Sequence, residues 1–288
     1  MKRSLLFLLI LPLIFACERD ATIPPPQTDK KLVLSALLSP DEEITYVYLG
    51  WTAPIFLPNS QNEQIISNGE VTITGPGGSF TLKYNSEINR YFFRKSDFQI
   101  LPGTSYTVRA KPPGGKEVFG TTLIPERTEN NFQVSILDSN KMVNYDGKEY
   151  YSYLFKASMV NTDLKNVYYQ TYGYYLYLNG IDGSGKPDSS FYDLQQNYEL
   201  SIFSGEGKQG KSFSKTFPSG SIFEGSGNSN VYMFLLFKGN EEFKNFQESL
   251  YNYDGENPFA EPTRLFKNVE GGLGVVAGYL KEKQILIK

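Results

Sequence analysis

The chain has 288 residues, a formal net charge of −3, no histidine and a single cysteine. These absences exclude a Ser-His-Asp triad, a Cys-His pair, a zinc site built on imidazole and an intrachain disulfide. The mildly acidic balance gives no electrostatic reason to expect nucleic acid or an anionic membrane surface as a partner, and the remaining catalytic options are paired carboxylates, a Ser-Lys arrangement or an oxygen-ligated cation.

Residues 1–16 have the three-part build of a secretory signal peptide. Lys2 and Arg3 form a basic head, an apolar run follows, and a small residue precedes Cys17. The run is shorter than the roughly 20 apolar residues that a membrane-spanning helix needs. Its ending, the letters LIFAC, resembles a bacterial lipobox, in which the cysteine sulfur is acylated and the chain is cut just before it. We therefore predict a lipid anchor on Cys17; an ordinary signal peptide followed by a chance cysteine is the alternative.

Residues 17–29 read as a lipidated tether. Three consecutive prolines at positions 24–26 favour an extended polyproline conformation. Glu18 and Asp20 follow directly after Cys17, and acidic residues at this place resemble the surface-export signal of Bacteroidota lipoproteins. They could equally serve only to keep the tether solvated. We predict a lipid-anchored protein of the outer membrane that faces the cell surface.

Residues 30–125 alternate in the manner of short strands separated by turns. Val71 and Ile73 share one face, the turn at residues 75–78 follows, and Phe80, Leu82 and Tyr84 then share a face, as in a β-hairpin. The run LPGTSYTV at residues 101–108 resembles the entry to the penultimate strand of fibronectin-type and carboxypeptidase-regulatory-type sandwiches. This region is predicted to form an N-terminal immunoglobulin- or fibronectin-like β-sandwich.

Residues 126–288 read as a second strand-rich unit that contains one helix. Six strand-like segments are present, and a helix is expected over about 240–252, where Asn240 can cap it and Phe243, Phe246 and Leu250 recur at helical spacing. This unit is predicted to be a jelly-roll-like C-terminal β-sandwich. The whole chain is therefore predicted to be all-β, with two sandwich units and one helix in the second.

A tyrosine cluster is the most conspicuous candidate for a binding surface. Ten of the 21 tyrosines fall within residues 145–177. Tyr172 and Tyr174 share one strand face, while Tyr175 and Tyr177 share the other. A sandwich strand needs one apolar face for its core, so one row is explained by packing, and the other row is expected to face outward or another element. Exposed tyrosine rows suit contact with protein or sugar; a large aromatic core is the alternative.

Each of the other candidate sites also has a simpler, purely structural explanation. Phe259 lies in a rigid Asn-Pro-Phe loop after the helix and either plugs the helix onto the sheet or presents an anchor to a partner. Trp51 either covers a sandwich end or contacts sugar. The polar loop at residues 182–188 fits a hydrophilic hairpin better than a calcium site, and the carboxylates of Glu241, Glu242 and Glu248 are spaced like a solvated helix face. We predict no metal, no cofactor and no catalytic residue.

The closing part of the chain resembles a known family. The segments Asn257-Pro258-Phe259, NVEGGLG at residues 268–274 and Ala277-Gly278-Tyr279 follow one another as in the Bacteroidota outer-membrane lipoproteins of domain of unknown function 4249. One departure is Val275-Val276, where that family often has an aromatic residue. The resemblance implies a non-enzymatic accessory or substrate-capturing partner of a TonB-dependent receptor. The alternatives are a stand-alone surface lipoprotein that binds carbohydrate or peptide and, less favoured, a carboxylate-dependent hydrolase.

Overall fold

A computed structural model describes residues 30–52, 64–163, 167–181, 187–194, 202–205, 207–223, 231–253 and 265–287. The signal peptide, the tether with Cys17, residues 182–186 and Phe259 lie outside the described residues. No helix within the described ranges is long and apolar enough to cross a membrane.

A nine-stranded sheet runs through the whole body. Its strands lie in the order β12-β11-β16-β17-β1-β2-β6-β5, and β13 also pairs with β11. Their bounds are β1 Leu32–Leu38, β2 Ile44–Trp51, β5 Lys83–Asn85, β6 Arg90–Arg94, β11 Tyr168–Ile181, β12 Pro187–Asp193, β13 Ile202–Ser204, β16 Val231–Gly239 and β17 Val276–Ile287.

Two four-stranded sheets pack against this long sheet. The first has the order β4-β3-β7-β8, and the second has β10 paired with β9, β14 and β15. The fold is therefore all-β and sandwich-like, as predicted. The strands of the two four-stranded sheets are β3 Glu70–Gly75, β4 Gly78–Thr81, β7 Ser105–Lys111, β8 Val118–Leu123, β9 Gln133–Val143, β10 Glu149–Val160, β14 Ser212–Pro218 and β15 Ile222–Phe223.

Alternating apolar residues place two cores on the same face of the long sheet. In β1, every second residue from Leu32 to Leu38 is buried, which is the period-2 pattern of a strand with one face in a core. The first core joins these residues to β2, β3, β6, β7 and β8. The second core is aromatic and joins Phe155 and Phe217 to Tyr232 and Phe234. We call the face of the long sheet that contacts both cores its inner face.

The last strand joins the two halves of the chain. β17 runs parallel to β1, with Ala36 opposite Val276, and antiparallel to β16. The glycine-rich segment before β17 lies against β1, since Leu34 N–H donates to Leu273 O at 2.9 Å and Gly274 has φ +107°. A Cβ at Gly274 would lie 1.9 Å from Leu34 O, so only glycine fits there. One sheet thus crosses the predicted boundary at residues 125 and 126, and the division into two domains stays a prediction.

The single described helix packs on the opposite face of the long sheet, which we call the outer face. Helix α1 spans Glu241–Tyr251, and the Phe243 N–H donates to the Asn240 side chain at 2.9 Å, as the capping pattern predicts. Phe243 is buried in a third cluster with Val275, Ala277 and Tyr279. Asn240 also donates to the Thr122 hydroxyl at 2.7 Å, which ties the start of the helix to β8.

Candidate binding face

The outer face carries one of the two predicted tyrosine rows. Tyr172 and Tyr174 of β11 lie on this face, half-buried, with their ring centroids 6.3 Å apart and their planes 22° apart. Tyr172 also makes an edge-on contact with Phe237 of β16, at 5.6 Å between centroids and 88° between planes. These contacts fix the row beside α1 rather than within a core.

Strand pairing extends this row into an apolar patch three strands wide. Tyr172 pairs with Leu235, Tyr174 with Met233, and Leu176 with Val231. β17 adds Ile285, which pairs with Met233, and Ile287, which pairs with Val231. These two isoleucines are 48% and 66% exposed. In the part of the chain that the structure describes, no buried cluster includes a member of the patch. The apolar patch consists of Tyr172, Tyr174, Leu176, Val231, Met233, Leu235, Ile285 and Ile287.

The polar atoms of the patch lie at its tyrosine edge. The Gln170 side-chain amide donates to the Tyr172 hydroxyl. Burial raises the pKa of Tyr172 to about 12, and it also raises the pKa of Tyr174, with the Asp193 carboxylate adding to both shifts. Both hydroxyls therefore stay protonated at neutral pH and are available as hydrogen-bond donors at the rim of an apolar surface.

The other tyrosine row belongs to the inner face. Tyr175 packs against the second core, with its ring centroid 5.4 Å from that of Tyr232. Tyr177 occupies the same face by strand register, opposite Ser190, although its side chain is not described. The aromatic-core alternative thus holds for Tyr175, whereas Tyr172 and Tyr174 face away from that core, and binding by their row stays a prediction. The structure resolves the choice that the strand pattern left open, because long-range pairing decides which row faces the core.

Trp51 lies at the end of β2 and packs, partly buried, against the first core. It therefore covers a sandwich end, and its other predicted role, contact with sugar, stays a prediction. Its exposed part lines a separate groove at the start of β1.

The outer face also carries a groove that the sequence analysis missed. It has a volume of about 570 Å³ and lies beside β1 and β2, lined in part by Ser35, Tyr46, Tyr48, Arg90 and Tyr279. The Arg90 guanidinium carbon lies 4.9 Å from the Tyr48 ring centroid, a cation–π distance. Burial raises the pKa of Tyr48, and Arg90 opposes that shift. The alternation of Tyr46 and Tyr48 with the buried Val47 and Leu49 was the available signal.

A buried polar network lies where the two halves of the chain meet. The Lys238 ammonium lies 2.5 Å from Asp163 Oδ1, and the two side chains are 3% and 6% exposed. It also donates to Glu126 O at 2.6 Å and to the Thr128 hydroxyl at 2.9 Å. The Tyr169 hydroxyl donates to the second Asp163 oxygen, and burial together with Asp163 raises the pKa of Tyr169.

This network is suited to stabilising the fold rather than to acting as a general base. An ammonium has three donors, and each of the three Lys238 donors has an acceptor. Burial lowers the pKa of Lys238, and the hydrogen bond to Asp163 and its negative charge oppose that shift. The participating residues come from the 126–130 connection, the loop after β10, β11 and β16. The network therefore locks four segments together.

The described helix carboxylates occupy ordinary positions on a helix. Glu241 and Glu242 lie in the first turn of α1, where they complement the positive end of its dipole. Glu248 lies 3.4 Å from the Lys244 ammonium, as an i,i+4 helix pair. Within the described ranges, no group of three or more Cys, Asp or Glu side chains is placed to hold a metal ion.

Comparison with known proteins connects this fold to one family. No curated protein matches the sequence significantly. The profile of the family described as "Domain of unknown function (DUF4249)" matches residues 18–285, which is nearly the whole predicted mature chain. The chain belongs to the DUF4249 family.

Proposed function

We propose that the protein is a non-enzymatic, lipid-anchored recognition protein of the outer membrane that contacts a TonB-dependent receptor through the apolar patch. The single observation that carries the proposal is the patch itself. A sheet face with two stacked tyrosines, two exposed isoleucines and half-buried Met233 and Leu235 is larger and more apolar than scattered surface residues.

The composition of the patch favours a protein partner. Aromatic residues and methionine are enriched at protein interfaces, whereas lysine, glutamate and aspartate are depleted. Among the described residues, two exposed charges lie in or beside the rows of the patch: Lys283 opposite Leu235, and Asp193 of β12 opposite Tyr174. The rigid strands present these side chains without the ordering cost of a loop. A neighbouring membrane protein is the natural occupant for a body that the predicted Cys17 anchor would hold at the bilayer.

Membership of the DUF4249 family supports the same partner class indirectly. The resemblance on which the family was recognised implies outer-membrane lipoproteins that act beside TonB-dependent receptors. Among the described residues, Lys238 pairs with Asp163 in a buried network and Glu248 of α1 pairs with Lys244, so neither arrangement favours a competing catalytic function.

The experiment is recovery of partners from detergent-solubilised outer membranes of the native host with the tagged protein. Ile285→Glu places a charge on the patch at a site that is 48% exposed, so the fold is preserved, and Leu137→Glu is a matched control at a β9 site that is 53% exposed. We expect the wild type and Leu137→Glu to recover a receptor-type barrel, and Ile285→Glu to recover at least about tenfold less. Recovery of no barrel, or equal recovery by all three proteins, contradicts the proposal.

A second candidate function rests on the near-parallel pair Tyr172 and Tyr174. Two tyrosine rings with protonated hydroxyls at the edge of an apolar surface also suit a glycan, which offers apolar ring faces and hydroxyl acceptors. A glycan array with wild type and Tyr174→Ala separates the two functions. Binding to a glycan that is lost in Tyr174→Ala supports a stand-alone carbohydrate binder, and an array without hits leaves the receptor partner as the proposal.

A further inference from the structure

A groove lined by lysines lies at the end of the long sheet where β1 begins and β2 ends. It has a volume of about 540 Å³, and Trp51, Val118, Val269 and Leu273 form part of its wall. Four exposed lysines line it, and we call it the lysine groove: Lys30, Lys31, Lys116 and Lys267. These lysines are far apart in sequence and are brought together by β1, the β7–β8 hairpin and the segment before β17.

The charges of the lysine groove are not balanced locally. None of its lining residues is acidic. Over the residues that the structure describes, none of the four lysines forms an ion pair with a carboxylate. Of the acidic residues beside the lining, Glu117 is already paired with Arg109 at 2.8 Å, and Glu270 is an exposed residue between Val269 and Gly271, one negative charge against four positive ones. Four like charges around one concave surface raise its potential and favour an anion.

The position of the groove in the chain indicates which anion. Lys30 directly follows the predicted tether at residues 17–29, so the groove is the part of the body nearest in sequence to the predicted anchor at Cys17. The twelve residues 18–29 reach at most about 40 Å when fully extended. An acylated cysteine would therefore hold the groove within a short distance of the bilayer surface, where a second contact becomes intramolecular and is strengthened by its effective concentration.

We propose that the lysine groove docks onto the anionic phosphate headgroups of the bilayer to which the protein is anchored. This inference rests on the proposed lipid anchor for its biological setting. The chain as a whole is net negative, so an anionic surface would repel most of the body and attract this groove. Docking would hold the start of β1 against the membrane and fix the orientation of the outer face relative to a neighbouring receptor.

The test uses the mature chain with Cys17→Ser, which cannot be acylated, so binding depends on the protein surface alone. Binding is measured at low ionic strength to vesicles of phosphatidylglycerol mixed with phosphatidylcholine, and to vesicles of phosphatidylcholine only. We expect binding to the anionic vesicles, weakening as salt is added, and none to the neutral vesicles. Each groove lysine is expected to contribute roughly fivefold in affinity, which is about 1 kcal/mol.

Two double variants make the test specific to the groove. Lys116→Gln with Lys267→Gln removes two groove charges and is expected to weaken binding roughly 25-fold. Lys83→Gln with Lys95→Gln removes two exposed charges elsewhere, on β5 and after β6, and is expected to keep the starting affinity. Equal losses in the two double variants, binding to neutral vesicles, or displacement by inorganic phosphate at constant ionic strength would overturn the proposal. Mass spectrometry of Cys17 tests the anchor separately, because the vesicle assay does not depend on acylation.

Discussion

Replacing Asp163 by asparagine removes a carboxylate from a buried ion pair and leaves the Lys238 ammonium behind. Because the Lys238 side chain is only 3% exposed, water cannot replace the lost partner. Breaking a buried pair on one side destabilises by about 3–5 kcal/mol. For a chain of this size, that corresponds to a melting temperature lower by roughly 6–20 °C. The measurement is thermal and urea unfolding followed by circular dichroism.

Two further variants separate burial from simple charge loss. Asp163→Leu combined with Lys238→Met replaces the pair by apolar side chains, and we expect it to recover most of the lost stability. Glu117→Gln breaks the exposed pair with Arg109, whose side chains are 43% and 46% exposed, and should lower the stability by less than about 1 kcal/mol. If Asp163→Asn loses no more stability than Glu117→Gln, the pair does not stabilise the fold as described above.

Three other predictions concern the shared sheet, the tyrosines and the anchor. A fragment of residues 17–125 should not fold, because it lacks β17 and therefore Val276 and Leu280 of the first core; a cooperative melt of the fragment would refute this. Burial raises the pKa of Tyr172 to about 12, so its folded form binds a proton that the unfolded chain loses above pH 10; its stabilising contribution is complete below pH 10 and is lost towards pH 12. Tyr172→Phe should flatten that part of the stability–pH curve, and an unchanged curve would count against the shift. Mass spectrometry of the mature N-terminal peptide should find it beginning at Cys17 and carrying acyl chains, whereas a bare thiol or an uncut peptide excludes the anchor.

Local pattern was enough to predict most of the described strands, the helix and the alternation of the tyrosine row. The run from Phe80 to Tyr84 was wrongly taken as one strand, because it is divided between β4, which pairs with β3, and β5, which pairs with β6 in the long sheet. Asn240 and the spacing of Phe243 and Phe246 predicted a capped helix close to its observed bounds. The same alternation separated Tyr172 and Tyr174 from Tyr175, since side chains on a strand point to opposite faces in turn. Periodicity describes one strand at a time, so it could not say which of the two faces would meet a core.

Periodicity within a strand could not predict which distant strands pair with one another. β1 and β17 lie at opposite ends of the body's sequence, and nothing in either segment states that they pair in parallel. The position of Lys238 could have predicted the buried network. A lysine near the end of the apolar run VYMFLLFKG needs a buried partner, and Asp163 is that partner. The net charge could not reveal the lysine groove, because it adds up the charges of the whole chain and does not say where they cluster on the surface.

The claim that the apolar patch meets a membrane-protein partner is tested most directly by amine cross-linking of intact cells, followed by mass spectrometry. Lys283 is exposed and lies in the row of Tyr172 and Leu235, so its amine marks the patch, while Lys83 on β5 marks the distant edge of the same sheet. We expect cross-links from Lys283 to an outer-membrane barrel protein and none to that protein from Lys83. Cross-links to such a barrel from Lys83 alone would contradict it.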